Sequence, residues 1–262
     1  MGAANGVDGS PENASSSSPM LRRLPWALLL LWAAFLFGGF ALGQMDEAER
    51  TRIPTWARMS SSFTLVVAAW SWHGMASERV GRFGLLVAVG MTFGFIGDLA
   101  LAELLHLPDP TLAGMGAFGI GHIAYIAAIV LHSNERGLTA RWPRYGAWAT
   151  WLAIGAIAWA IVVLPSQEPA ALRLAALPYT LLLASTVGLA TGLALQAVTF
   201  TPLAIGAGLF FLSDLILAGQ MFRHMQFRGI GDLVWLTYGP GQMLIVYAVP
   251  ATFSRNESRP RC

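Results

Sequence analysis

An all-α, polytopic membrane helix bundle of eight transmembrane helices is the fold this sequence predicts, and three observations predict it. Of 262 residues, 55% are hydrophobic and 11% are charged, whereas a soluble domain carries about 25% charged residues. Apolar runs recur along the chain, each near the roughly 20 residues that cross a hydrocarbon core. No run alternates polar with apolar residues, so the signature of a membrane barrel is missing.

Residues 1–20 read as a polar, disordered tail with a serine run from Ser15 to Ser18. Met20, followed by Leu21-Arg22-Arg23, is a second point at which translation would start. The membrane domain is expected over 24–253, with spans at 24–43, 61–76, 81–105, 111–132, 145–164, 171–196, 200–219 and 231–253, and a short tail over 254–262. The first run has the flanking arginines and small-residue end of a secretory leader. Its apolar stretch exceeds the 7–15 residues usual there, so it reads as a span. The second is the weakest, being short and opening on Ser60 to Ser62. Brief loops favour antiparallel neighbours packed as a bundle.

Charge sets the expected orientation. The basic residues are 16 arginines and no lysine. With eight spans and the N-terminus inside, Arg22, Arg23, Arg79, Arg82, Arg136, Arg141, Arg144, Arg255, Arg259 and Arg261 face the cytoplasm. The other six lie opposite, so the positive-inside bias places both termini in the cytoplasm. No basic run interleaved with aromatics suggests a nucleic-acid partner. The one cysteine, Cys262, excludes an intrachain disulfide.

Two acids stand inside apolar runs. Phe95-Ile96-Gly97-Asp98-Leu99-Ala100-Leu101-Ala102 recurs as Phe211-Leu212-Ser213-Asp214-Leu215-Ile216-Leu217-Ala218, identical at five of eight positions. The likeness continues in Phe118-Gly119-Ile120-Gly121-His122 and Tyr238-Gly239-Pro240-Gly241-Gln242. An offset of four spans preserves direction, so two parallel four-helix repeats would be related about an axis along the membrane normal. A carboxylate inside a span is expensive and marks function by default. At 1.5 Å per residue, both acids reach similar depth on the side opposite the cytoplasm, near His122. Tyr125 follows His122 by one turn, Tyr238 and Gln242 share a face, Tyr179 follows Pro178, and Ser213 precedes Asp214. Gly94, Gly97, Gly119 and Gly121 are expected to let helices approach beside the acids. Glu103, Asp232, His73, His106, His132 and His224 lie near span ends and read as solvated.

Neighbouring carboxyls in a poor solvent for charge hold one proton between them, giving an acid beside a base. Such a pair suits acid-catalysed addition of water to an electron-rich bond. Neither a HExxH spacing, a glycine-rich phosphate loop nor a G-x-S-x-G elbow occurs, so no metal or other cofactor is expected.

At these residues the chain resembles the YhhN family, the lysoplasmalogenases and transmembrane-86-type proteins. The features shared are Gly97-Asp98-Leu99, Gly121-His122-x-x-Tyr125, Pro178-Tyr179, Ser213-Asp214-Leu215 and Tyr238-x-x-x-Gln242, in order over about 24–253. The resemblance implies hydrolysis of the vinyl-ether bond of a lysophospholipid drawn from the surrounding membrane lipids, with Asp98 and Asp214 as the essential acids. Many members carry a basic-Pro pair before the second span, where this chain has Arg58-Met59-Ser60. Paired intramembrane acids in parallel repeats also describe proton-coupled transporters. Nothing in the sequence fixes the oligomeric state.

Overall fold

The computed structural model describes residues 19–48, 50–75 and 78–253, and for 19–22 and 78–80 the backbone alone. The tail expected over 1–20 lies, but for Pro19 and Met20, outside these residues, as does 254–262. No strand forms among the described residues; one isolated bridge joins Asp46 to Thr51.

The chain enters as a single rod over 19–42, made of α1 (Pro19–Ala33), a π-helical turn (Ala34–Gly38) and α2 (Gly39–Leu42). A Cβ on Gly39 would lie 2.9 Å from the Ala57 Cβ, so the glycine lets this rod press against α3 (Thr55–Met75). The second run thus begins six residues earlier than its hydropathy suggests. Its serines do not break it, because Ser61 Oγ and Thr64 Oγ1 donate to the carbonyls of Arg58 and Ser60, each at 2.7 Å. Ala57, Ser61, Leu65, Ala68 and Trp72, at helical spacing, form its buried face.

α4 (Glu78–Leu101) stops short of the expected residue 105, and Glu103 and His106 take left-handed conformations in the turn. Asp109 caps α5 (Pro110–Glu135), its Oδ1 accepting from the Leu112 N–H at 2.9 Å, and Pro110 fills the first position. Gly137, at φ +68°, ends α5 while the Leu138 N–H closes on the Ser133 carbonyl. A second π-helical turn (Trp142–Gly146) leads into α6 (Ala147–Val162), where only Gly155 is buried. α7 (Ala170–Ala194) contains Pro178, and a 3₁₀ turn (Val198–Phe200) starts α8 (Thr201–Arg223). α9 (Ile230–Val246) contains Pro240 and ends seven residues before the expected 253, followed by a 3₁₀ turn (Val249–Thr252).

Among the described residues six segments are long and apolar enough to cross a membrane: Arg23–Leu42, Gly81–Leu101, Pro110–Glu135, Trp142–Val162, Ala170–Ala194 and Val198–Arg223. The protein is therefore a helical membrane protein. α3 and α9 fall outside that set, α9 with only 17 residues and α3 with its serines and Arg58.

α4 packs most tightly against α5, and α8 against α9. Both hairpins close on glycine. A Cβ on Gly121 would meet the Gly90 carbonyl oxygen at 2.9 Å. One on Gly206 would meet the Gly241 carbonyl at 2.7 Å, and one on Gly241 the Gly206 carbonyl at 2.9 Å. α7 lies against α5, α6 and α8.

Two residues read as solvated are interior. Asp232 is 5% exposed, its Oδ1 accepting from Thr51 Oγ1 at 2.7 Å and from the N–H groups of Arg52 and Ile53 at 2.6 and 3.3 Å. A carboxylate at a helix start is drawn to the loop donors folded over it. His132 is buried between Phe83 and Phe200, at ring separations of 5.3 and 5.1 Å. The α8 start and the α4 start close over it.

Candidate functional site

Asp98 sits near the end of α4, buried among three other helices. Its Oδ2 accepts from the Ser62 hydroxyl of α3 and from the Tyr238 hydroxyl of α9, the latter at 2.9 Å. Having given its proton to Asp98, Tyr238 accepts from Gln242 Nε2 at 3.2 Å. That leaves Gln242 Oε1 to accept from the Tyr125 hydroxyl of α5 at 2.9 Å. The carboxyl thus sets the direction of every bond in the relay. Glycines on α4 make room for it. A Cβ on Gly90 would lie 2.3 Å from the Tyr125 ring, on Gly94 2.8 Å from Gln242 Nε2, and on Gly97 2.7 Å from the Phe118 ring. Gly119, expected to act likewise, has only an ordinary contact with Leu182.

Asp214 occupies the matching place on α8. Its Oδ2 accepts from the Tyr179 hydroxyl of α7. Ser213 Oγ lies 3.3 Å from Oδ1 but 2.7 Å from the Phe210 carbonyl. A hydroxyl has one proton to give, so the carbonyl is its main acceptor.

His122 bonds to neither acid but stands beside a tyrosine of each group. Its ring stands 5.9 Å from Tyr125, 6.3 Å from Tyr179 and 4.6 Å from Phe210. Nδ1 is 3.0 Å from Thr186 Oγ1, whose proton serves the Leu182 carbonyl at 3.0 Å. Nδ1 therefore donates, and Nε2 is left a bare acceptor, buried without a partner among the described residues.

All eight residues expected at the site fall in this region, seven of them in two groups and His122 in neither. Ser62, Tyr238, Gln242 and Tyr125 gather on Asp98; Tyr179 and Ser213 gather on Asp214. The carboxyls share no hydrogen bond and no donor. Ser62, Thr186, Phe118 and Phe210 complete the setting and are not among the residues the sequence analysis singles out. For Ser62 the signal was the serine triplet in an apolar run. For the other three, an apolar helix gives none.

Asp214 and Tyr179 face a narrow cleft among α5, α6, α7 and α8. Its walls are apolar, with Met115, Trp159, Leu183 and Phe211 prominent. Asp98 does not line it. Phe118 does, and that ring meets Gly97 on one side and stands 6.1 Å from Tyr238 on another, so it separates Asp98 from the cleft. Among the described residues no three His, Cys, Asp or Glu side chains gather as a metal would require.

A helical membrane bundle whose interior holds two acids, one of them facing an apolar cleft, is the class of protein that fold and site define. Within that class the chain belongs to the YhhN family, whose model matches residues 54–249. That match takes in α3 to α9 and every residue of the site. No curated protein and no solved structure matches the chain.

Proposed function

We propose that this protein is an intramembrane hydrolase that cleaves the vinyl-ether bond of a lysoplasmalogen, releasing a fatty aldehyde and a glycerophospho-head-group. The observation that carries the reading is a carboxyl, Asp214, at an apolar cleft with a second acid, Asp98, behind it. Protonation of the alkene carbon by one acid gives an oxocarbenium ion. The neighbouring carboxylate stabilises that cation, water adds to it and returns a proton to the pair, and the hemiacetal collapses to aldehyde and alcohol. Asp214 is the group placed to touch the alkene. Asp98, with its Ser62 and Tyr238 donors, supplies charge from behind Phe118. The bare Nε2 of His122 is an acceptor suited to holding the water.

The reading includes α3 and α9 as spans, making eight. Their polar residues lower their hydropathy because they serve the interior. Ser62, Tyr238 and Gln242 come from these two helices. It also includes the repeat, which the donors support. Ser62 precedes its acid by 36 residues and Tyr179 precedes its acid by 35, each from the helix paired with the acid's own.

Purified protein incubated with a lysoplasmalogen should release aldehyde. Asp98→Asn and Asp214→Asn should each lower the rate by about 10²-fold or more at unchanged expression, the scale of lost acid–base catalysis. Full turnover by either variant defeats the proposal. The same paired acids fit a proton-coupled carrier, and substrate-driven proton uptake in liposomes without aldehyde would favour that reading.

A further inference from the structure

We infer that Thr186 is a positioning residue for the water step, one that fixes His122 as the tautomer with its proton on Nδ1 and so turns Nε2 into an acceptor. The tautomer rests on geometry alone; its use on water rests on the hydrolase reading.

The pair lies one turn behind the cleft. Phe118, Leu183 and Asp214 line the cleft, and His122 does not. His122 follows Phe118 by four residues on α5, Thr186 follows Leu183 by three on α7, and Phe210 precedes Asp214 by four on α8. At these spacings each residue shares a helix face with its cleft neighbour. The three meet, with Nδ1 of His122 3.0 Å from Thr186 Oγ1 and its ring 4.6 Å from that of Phe210. Both polar side chains are 1% exposed. Tyrosines flank the ring, Tyr125 ending the relay from Asp98 and Tyr179 donating to Asp214.

Burial makes the tautomer matter. A neutral imidazole has one N–H donor and one acceptor nitrogen. The Thr186 hydroxyl spends its one proton on the Leu182 carbonyl, at 3.0 Å. Its lone pairs then face Nδ1 and call for a donor there. The opposite tautomer would set two lone pairs against each other, or draw the hydroxyl proton off Leu182. It would also leave a buried N–H without a partner among the described residues, which folded proteins seldom tolerate.

With Nε2 bare, a water can donate one hydrogen to it and turn its oxygen lone pair to the oxocarbenium carbon formed at Asp214. The oxygen forms the new C–O bond, and its other hydrogen returns to the acid pair as a proton. The hydrogen held by Nε2 stays with the hydroxyl of the hemiacetal. Thr186 touches none of the reacting atoms and acts only through the imidazole.

The test begins with the wild-type protein in maltoside micelles, its histidines labelled with the heavy nitrogen isotope. Proton–nitrogen correlation spectra tell a protonated ring nitrogen from a bare one, and His122→Phe identifies the signal by its loss. His122 should carry a proton on Nδ1 and none on Nε2. Thr186→Val, which keeps the shape and removes the acceptor, should abolish the single tautomer; Thr186→Ser should restore it. With a lysoplasmalogen, Thr186→Val should lower kcat about tenfold, the worth of one hydrogen bond, with KM within about twofold, and Thr186→Ser should recover most of the rate. Adding Thr186→Val to His122→Phe should cost nothing more, because the threonine acts through the histidine. A proton on Nε2 in the wild type overturns the inference, as does an unchanged kcat in Thr186→Val or a penalty that persists in the double variant. The expected spectra without aldehyde release from the wild type would leave the tautomer standing and remove the hydrolase reading. Aldehyde release with the proton on Nε2 would do the reverse.

Discussion

Asp232 joins the loop before α3 to the start of α9 by accepting from one hydroxyl and two backbone N–H groups. Removing the acceptor leaves these buried donors without it, a loss of about 1–3 kcal/mol. Asp232→Ala should therefore lower the thermal midpoint in detergent while leaving Asp98 and Asp214 untouched; an unchanged midpoint would show that water replaces the carboxylate. Sequence position alone placed this residue at a solvated helix end, because a span boundary says nothing about which loop folds across it. The same holds for His132, enclosed by two aromatic rings from distant segments. Within a helix the sequence was more informative. The four-residue spacing of Tyr238 and Gln242 does bring them into contact, and Gly94 does make room for the amide. The serine triplet marked Ser62, but its partner was out of reach, since the bond to Asp98 crosses from one helix to another.

Between elements, the helical hairpins depend on glycines chosen by position. Gly206 faces the Gly241 carbonyl, whereas Gly208, two residues on, meets nothing within 4 Å. Gly206→Ala must push α8 from α9 and should cost about 1–3 kcal/mol by overpacking. Gly208→Ala should be neutral or slightly stabilising, as alanine is the better helix former. Comparing the two by detergent-induced unfolding separates close approach from helix propensity; equal effects would mean the hairpin yields without strain. Helix existence was legible from apolar runs, because a bilayer demands internally bonded backbone. Helix ends were less so. Hydropathy placed α3 six residues late, since Thr55, Arg58 and Ser60 lower the hydropathy of 55–60 yet the helix runs through them.

For the whole molecule, the eight crossings proposed above would keep both termini on one side, and the arginine bias predicts that this side is the cytoplasm. A fluorescent-protein fusion after residue 253 should fold and glow, while alkaline phosphatase placed there should stay inactive. Phosphatase inserted in the 102–109 or 224–229 loops should be active. An active C-terminal phosphatase would mean that α3 or α9 does not cross. Composition made the solvent of this protein plain, and the paired acids pointed to its interior. The partition of the site was hidden, because Phe118 lies between Asp98 and the cleft for reasons only packing determines.

α6 presents most of its surface outward and only Gly155 inward, yet Ala158, Trp159 and Val162 form a wall of the cleft. One thin rod is all that stands between the cleft and the surrounding lipid. In the proposed reaction traffic can then be wholly two-dimensional: a greasy reactant would arrive by lateral diffusion, its aldehyde would depart the same way, and neither would spend time dissolved in water, where the aldehyde would meet the amines and thiols of other proteins.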